Sequence, residues 1–499
     1  MRPTWIRRLV QLFTLDTRAL AVFRIGLGLL LLVDLYCRVQ QLEVDYTDFG
    51  MVPREFVGQG IGVRHDWMPH MWSGSLAWQA SLFALTALLA VWLTIGFHTT
   101  LATAGCWFLL ASLHHRNDLL VDGGDCVFTG CLFWGSFVPL GEVWSVDARR
   151  RSQQGIVPRN TIASPGTLAL VVQVFLIYFS AGFMKSGETW RQGTALFYAL
   201  NLETFASPIG VRLLDYSHWL PAFAFAALYA ERYGIFLLWC PFWQTRLRTI
   251  LVLLGWTFHL TLVVIFELGL FPLVCIVAWI PLLPTPVWDW LAERKGRWRP
   301  SLAGSNVANL SASPQQLAQQ SSWPVVGRDV FVSCMLVIVV ITNLWASFPN
   351  YFTSHSPFPR FVTGTIDTFR LQRGWGLYAP DPGYRDGWFV ATGKLANGQS
   401  VDLWNPGQEP TDDKPSLRTY FKNQRWKRLS FVLPDPRHKR TGEALLGWLV
   451  RRWNRDIAKS PAERCQRAEL RYWIEVTDAN KRLPWVERKL YEMDVSADK

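Results

Sequence analysis

Nine apolar runs, set apart by short polar stretches, restrict what this chain can become more than any other feature. They fall at 19–37, 77–95, 100–114, 125–140, 167–184, 220–240, 249–266, 268–284 and 329–348. Crossing about 30 Å of hydrocarbon takes roughly 20 apolar residues of helix, because no water is present there to satisfy the backbone. Several runs reach that length, while 100–114 and 125–140 are short and would borrow shielded flanking residues. The sequence therefore predicts a multi-pass α-helical membrane bundle of about nine transmembrane helices. Residues 1–8 are basic, like the n-region of a secretory signal. The run that follows nevertheless carries Arg24 and Asp34 and leads to no small-x-small cleavage site. A retained first helix is expected.

Short-loop charges orient such a bundle. Arg2, Arg7 and Arg8 would hold the N-terminus in the cytoplasm, with the bundle in the cell (inner) membrane. Nine alternating passes then bring Arg149–Arg151, Arg246/Arg248 and Arg294/Lys295/Arg297/Arg299 to the cytoplasmic side and put residues 350–499 outside. The expected division is a bundle over 1–300, a cytoplasmic linker over 301–328, a last transmembrane helix over 329–348 and an extracytoplasmic domain over 349–499. In that last part, turn signals at Asp381-Pro382-Gly383 and Asn397-Gly398 separate short alternating stretches. Strands are expected at Trp388–Thr392, Ser400–Trp404 and Arg471–Val476, with a helix over 442–457. The reading is a small α+β domain.

The net charge of +12 could suggest nucleic acid, but the basic residues sit mainly at the ends of apolar runs and in the acid-rich last third. Anionic lipid headgroups explain that placement better, so membrane lipid is the expected partner and nucleic acid is not. The 27 Trp and 31 Phe suit a chain with long water–lipid boundaries. Of eight cysteines, seven lie in or beside apolar runs and none forms CxxC; buried small hydrophobes are expected, with no metal site.

Ionisable residues at membrane depth are costly and mark candidate sites. Arg24 and Asp34 lie ten residues apart on the first helix, about 15 Å, too far to pair; Asp34 can instead pair with Arg38 one turn on. Both are read as structural pairs within the bundle. His259 is either a neutral residue bonded to a neighbouring helix or a proton donor to something bound in the bundle. Glu267 reads as an interfacial residue in the turn between two spans. His114-His115-Arg116-Asn117-Asp118 should form an outer loop leading into a helix that Asp125 caps, its carboxylate serving a site as the alternative. Lys185 ends an apolar run. It either snorkels to the interface or points inward, where desolvation would favour the neutral amine and make it a general base.

Several segments, in order, resemble the HTTM family, the membrane domain shared with vitamin K-dependent gamma-glutamyl carboxylase. They begin with Asp16-Thr17-Arg18-Ala19-Leu20-Ala21-Val22-Phe23-Arg24-Ile25-Gly26, then Asp34, Arg38 and Tyr46-Thr47-Asp48-Phe49-Gly50. Arg116-Asn117, Gly123-Gly124-Asp125, Pro139-Leu140-Gly141 and Trp144-Ser145-Val146-Asp147 continue the likeness. Ala181–Trp190, Phe258-His259, Gly269-Leu270-Phe271-Pro272 and the outer Trp375–Pro382 and Asp386-Gly387-Trp388 complete it. In the carboxylase a lysine at the end of such a span acts as base on reduced vitamin K, and oxygenation then drives carboxylation of a glutamate. Lys185 is the matching lysine. The carboxylase also uses a histidine upstream of its Trp-Ser-Val-Asp stretch, where this chain has approximately Gly124-Asp125.

The resemblance implies a carboxylase-like membrane protein that binds a quinol or other isoprenoid lipid of the vitamin K type. Its chemistry, quinol-coupled redox or carboxylation, would take place at the outer membrane face. Lys185, Asp125 and His259 would form the catalytic set, with Arg116, Asn117 and Trp190 toward the lipid cofactor. The alternative is a non-enzymatic anchor presenting an extracytoplasmic binding or assembly domain. Convergence of Lys185, Asp125 and His259 on one place would separate the two.

Overall fold

The structure is a computed structural model that describes residues 4–58, 64–294, 323–348, 358–371, 375–421, 423–478 and 483–494. Within these, the long helices are α1 (Thr4–Gln11), α2 (Thr17–Val39), α3 (Leu76–Ile95), α4 (Thr99–Arg116), α5 (Gly123–Gly135) and α6 (Pro165–Met184). They continue with α7 (Leu220–Arg232), α8 (Gln244–Ile265), α9 (Phe271–Trp279), α10 (Thr285–Arg294), α11 (Trp323–Ser347), α12 (Arg360–Phe369) and α13 (Lys439–Asp456). Of the expected linker, residues 301–322 lie outside the described residues, and Trp323 already begins α11.

The described residues support a helical bundle with fewer candidate spans than the expected nine. Among the described residues five helices are long and apolar enough to cross a membrane: α2, α3, α6, α8 and α11 over Val325–Ser347. A sixth is reached only if Phe271–Leu282 and Thr285–Arg294, bent by 94°, count as one span. The remaining runs are helical but fall short for identifiable reasons. Helix α4 spends its last turn on His114, His115 and Arg116, and α5 stops after 13 residues. The run at 220–240 breaks at Tyr233 into the 13-residue α7 and a 3₁₀ turn over Gly234–Trp239.

Local chemistry sets the helix ends. Ser164 and Thr167 make a reciprocal capping box at the start of α6, with Pro165 in the first turn, where its missing N–H costs nothing. Helices then cross where small residues let backbones meet. At Gly28 of α2 an added Cβ would lie 2.2 Å from Thr94 Oγ1 and 2.9 Å from the Ala90 carbonyl of α3. The helices cannot separate locally without losing the buried Leu27, Leu31, Phe83 and Ala90 packing.

Two ends of the bundle are distinct. At one, Arg24 donates to the Trp144 carbonyl (2.8 Å), Arg248 to the Thr14 carbonyl (3.1 Å), and Arg18 pairs with Asp289 (2.8 Å). There β1 (Leu15–Asp16) and β2 (Thr161–Ile162) pair antiparallel. The other end carries the C-terminal domain. Its four-stranded antiparallel sheet has the order β4-β3-β5-β6, from β3 (Arg385–Leu395), β4 (Ser400–Asp402), β5 (Cys465–Val476) and β6 (Val486–Asp494). Register is fixed by pairs such as Trp388 opposite Trp473, and α13 packs on β5 and β6. The expected strands and helix are present, and β6 is the addition. The domain's core runs without a break into the bundle's loops: Met51, Val52 and Leu120 are buried with Phe389, Trp426, Leu445 and Trp448.

Replacing Gly28 with Leu should lower the thermal midpoint of the detergent-purified protein by several degrees, since overpacking typically costs ~1–3 kcal/mol. An unchanged unfolding curve would show that α2 and α3 do not meet at Gly28.

Candidate functional site

The domain-bearing end of the bundle gathers the ionisable residues. Helix α2 delivers Asp34 and Arg38 one turn apart, bonded at 2.7 Å. Arg38 also donates to Asp125 (2.6 Å) and to the Tyr46 hydroxyl (2.7 Å). Asp125 lies in the first turn of α5, but it is not the cap. Asp122 caps the helix, accepting from the Asp125 N–H at 3.0 Å, and Asp125 returns the bond to the Asp122 N–H at 3.1 Å. The expected cap is thus corrected to Asp122, while the Asp125 carboxylate closes the capping box and enters a charged cluster. His114 stands 3.6 Å from Asp125 and 3.2 Å from the Thr129 hydroxyl. The expected outer loop is also corrected here, since His114–Arg116 belong to the final turn of α4.

Sequence reasoning missed the residue that completes this cluster. Arg425, from the C-terminal domain, reaches Asp34 at 2.5 Å and both oxygens of Asp125. Two guanidinium groups thus face two carboxylates in a water-poor place. Burial alone would push Arg425 down, but Asp125 and Asp34 hold its guanidinium charged, well above its ordinary range. Arg425 sits in a basic, loop-like stretch with no period or motif, so nothing local singled it out.

Lys185 closes α6 and is only 5 % exposed. Its amine is bonded to Glu231 of α7 and lies 5.0 Å from the Trp190 ring centroid. The two helices approach closely here: a Cβ on Gly182 would fall 2.5 Å from the Arg232 amide, and Arg232 donates to the Gly182 and Lys185 carbonyls at 2.9 and 2.7 Å. That contact sets Glu231 against Lys185. Glu231, like Arg425, was not anticipated, because it sits among alanines in an ordinary apolar run. Trp190 donates to the Tyr378 carbonyl (2.9 Å), and Asp381 accepts from the Thr189 amide (2.9 Å), so the segment after 375 roofs this corner.

His259 of α8 meets the Tyr178 hydroxyl at 2.6 Å, and that hydroxyl accepts from Trp279 Nε1 at 2.6 Å. Tyr178 precedes Lys185 by seven residues, two turns of one face, or about 10 Å. Phe271 bridges to the charged cluster, with its ring 5.8 Å from His259 and its backbone against Gly124. Lys185, Asp125 and His259 therefore occupy one end of the bundle, but each is held by its own partners, and among the described residues no hydrogen bond joins them.

Arg116 and Asn117 are placed differently. Arg116 donates to the Val52 and Thr47 carbonyls (2.7 and 2.9 Å), and Asn117 to the Asp45 carbonyl (2.8 Å). Both pin the loop after α2. Both also line a cleft of about 110 Å³ with Val52, Leu119, Arg428 and His438. Glu267 receives Lys427 (2.7 Å) and Arg418 (3.4 Å), a second tie between bundle and domain.

The family model of the HTTM domain matches residues 13–288. Neither a curated protein nor a solved structure gives a significant match.

Removing one member of a buried ion cluster strands the others, at ~3–5 kcal/mol. Arg425→Gln should make the C-terminal domain markedly more sensitive to limited proteolysis and lower the thermal midpoint. Adding Asp125→Asn should return part of that loss, because Arg38 and Asp34 then balance. Strict additivity of the two changes would rule out the cluster as the domain's anchor.

Proposed function

The chain belongs to the HTTM family, and from that premise we propose that it is a carboxylase-like membrane protein binding a quinol or related isoprenoid lipid at the domain-bearing end of its bundle. HTTM domains are associated with vitamin K-dependent carboxylase-like membrane proteins. The observation that carries the proposal is Lys185, buried at the end of α6 against Glu231 and Trp190. A merely snorkelling lysine would extend its amine to water.

Lys185 and Glu231 work as one unit in this reading. The Lys185 amine is the proton acceptor, and the Glu231 carboxylate beside it holds the ammonium that results. A bound quinol would supply the hydroxyl proton that Lys185 removes, and its two electrons would go to molecular oxygen, the co-reactant that the family resemblance implies. Tail contacts are offered by Phe175, Phe179 and Phe183 at four-residue spacing on α6, with successive centroids 5.4 and 4.6 Å apart, and by Phe348 at 5.4 Å from Phe183. Such a stripe is apolar enough for an isoprenoid chain. The carboxylase's upstream histidine has no match at Gly124-Asp125, but His114 reaches Asp125 from α4 and puts an imidazole in the cluster. Arg116 and Asn117 hold loop carbonyls, which supports a positioning role for them over direct lipid contact.

The bundle's orientation belongs to the same reading. Arg8, Arg149–Arg151, Arg159, Arg246, Arg248 and Arg294 cluster toward the end opposite the C-terminal domain. That end faces the cytoplasm of a cell (inner) membrane, and residues 358–494 lie outside.

The anchor alternative draws on one observation, the number of polar ties spent on docking the domain. Quinol oxidation by purified protein separates the two. Lys185→Ala should reduce turnover at least 100-fold, in the range a general base contributes. Unchanged turnover would remove Lys185 as the base, and no turnover in the parent protein would favour the anchor.

A further inference from the structure

His259 carries an unfinished hydrogen bond. Its ring is almost fully buried, and Nδ1 is enclosed without a partner among the described residues. Nε2 is engaged at 2.6 Å by the Tyr178 hydroxyl, which itself takes the indole N–H of Trp279 at 2.6 Å. Trp Nε1 can only donate, so the Tyr178 oxygen accepts there and its own proton is left to donate. The atom in line for that proton is His259 Nε2. In a neutral imidazole, an accepting Nε2 puts the ring proton on Nδ1. The chain Trp279–Tyr178–His259 thus presents one N–H donor, fixed in tautomer and aimed among apolar groups that include Phe258 and Phe271.

A buried donor left unmade costs roughly 1–3 kcal/mol. Three residues from three helices, α6, α8 and α9, are arranged so that this donor persists. We propose that His259 Nδ1–H binds the carbonyl oxygen of a lipid lodged in the bundle, with Tyr178 and Trp279 as positioning residues that lock its tautomer. The inference deepens the reading of the bundle as a lipid-binding chamber and rests on it. Two lipids carry that carbonyl, a quinone ring and a phospholipid ester. An uncharged donor suits both, because it stabilises a carbonyl without bringing an unpaired charge into hydrocarbon.

The test is ¹⁵N-histidine NMR of the full-length protein in nanodiscs, with His259 assigned among nine histidines by difference against His259→Gln. The unaltered protein should show a neutral ring protonated at Nδ1. Tyr178→Phe keeps the shape and removes the lock, so a several-fold larger share of the other tautomer should appear. Nanodiscs of ether-linked phospholipid, which has no carbonyl, give the baseline. Ester-linked phospholipid and ether-linked phospholipid with an added short-tailed naphthoquinone are the two arms. A shift of the Nδ1 resonance with quinone, together with quinone binding by His259→Gln at least fivefold weaker in equilibrium dialysis, supports the inference and its quinone form. A shift with ester lipid alone supports the donor role while removing the quinone reading of the chamber. A ring protonated at Nε2, or an Nδ1 resonance that moves in neither arm, overturns the proposal.

Discussion

Four charges buried at one end of an apolar bundle can persist only as a set. Asp34 and Arg38 come from the first long helix, Asp125 from the start of α5, and Arg425 from a domain three hundred residues further along. Each carboxylate is reached by both guanidinium groups, so the sum is neutral and no member tolerates the loss of another. The consequence is architectural. Helix α2 cannot rotate without exposing the pair, α5 cannot start elsewhere without losing its capping box, and the C-terminal domain cannot leave without stranding two carboxylates. The domain is therefore a lid of the bundle, continuous with it through Met51, Val52, Leu120 and Trp426.

The lid explains why the three residues first singled out share an end yet share no bond. Asp125 is committed to holding the lid, as are Glu267 through Lys427 and Thr189 through Asp381. Lys185 and His259 answer to other partners, Glu231 and Tyr178. A four-charge cluster that docks the domain and two side chains each held by one bundle partner are different in kind. The cluster is itself buried, and a low local dielectric strengthens each of its polar contacts.

Much of this was legible in the chain because its signals are periodic or punctuated. Hydropathy located the helices, Asn397-Gly398 located the β3–β4 hairpin, and the spacing of Asp34 and Arg38 located their pair. What escaped shares a physical cause. Apolar content marks where a helix is hydrophobic, not whether it is unbroken, so the run at 220–240 concealed a break at Tyr233, and 100–114 a polar last turn. The β6 strand was hidden by its charges, since Glu487, Arg488 and Lys489 pair across an exposed edge in place of alternating with hydrophobes. Glu231 and Arg425 were invisible because a partner distant in sequence gives a residue its meaning.

A helix too short to cross a bilayer can still be largely apolar when protein encloses it. Helix α5 has 13 residues, about 20 Å, and could not cross alone. Its side chains from Val127 to Gly135 are all buried, walled by α4, α6 and α9. A helix so enclosed answers to protein on every side, and hydrocarbon thickness no longer sets its length. Its N-terminus is buried too, and there its first-turn carboxylate meets Arg38 and Arg425 away from bulk water.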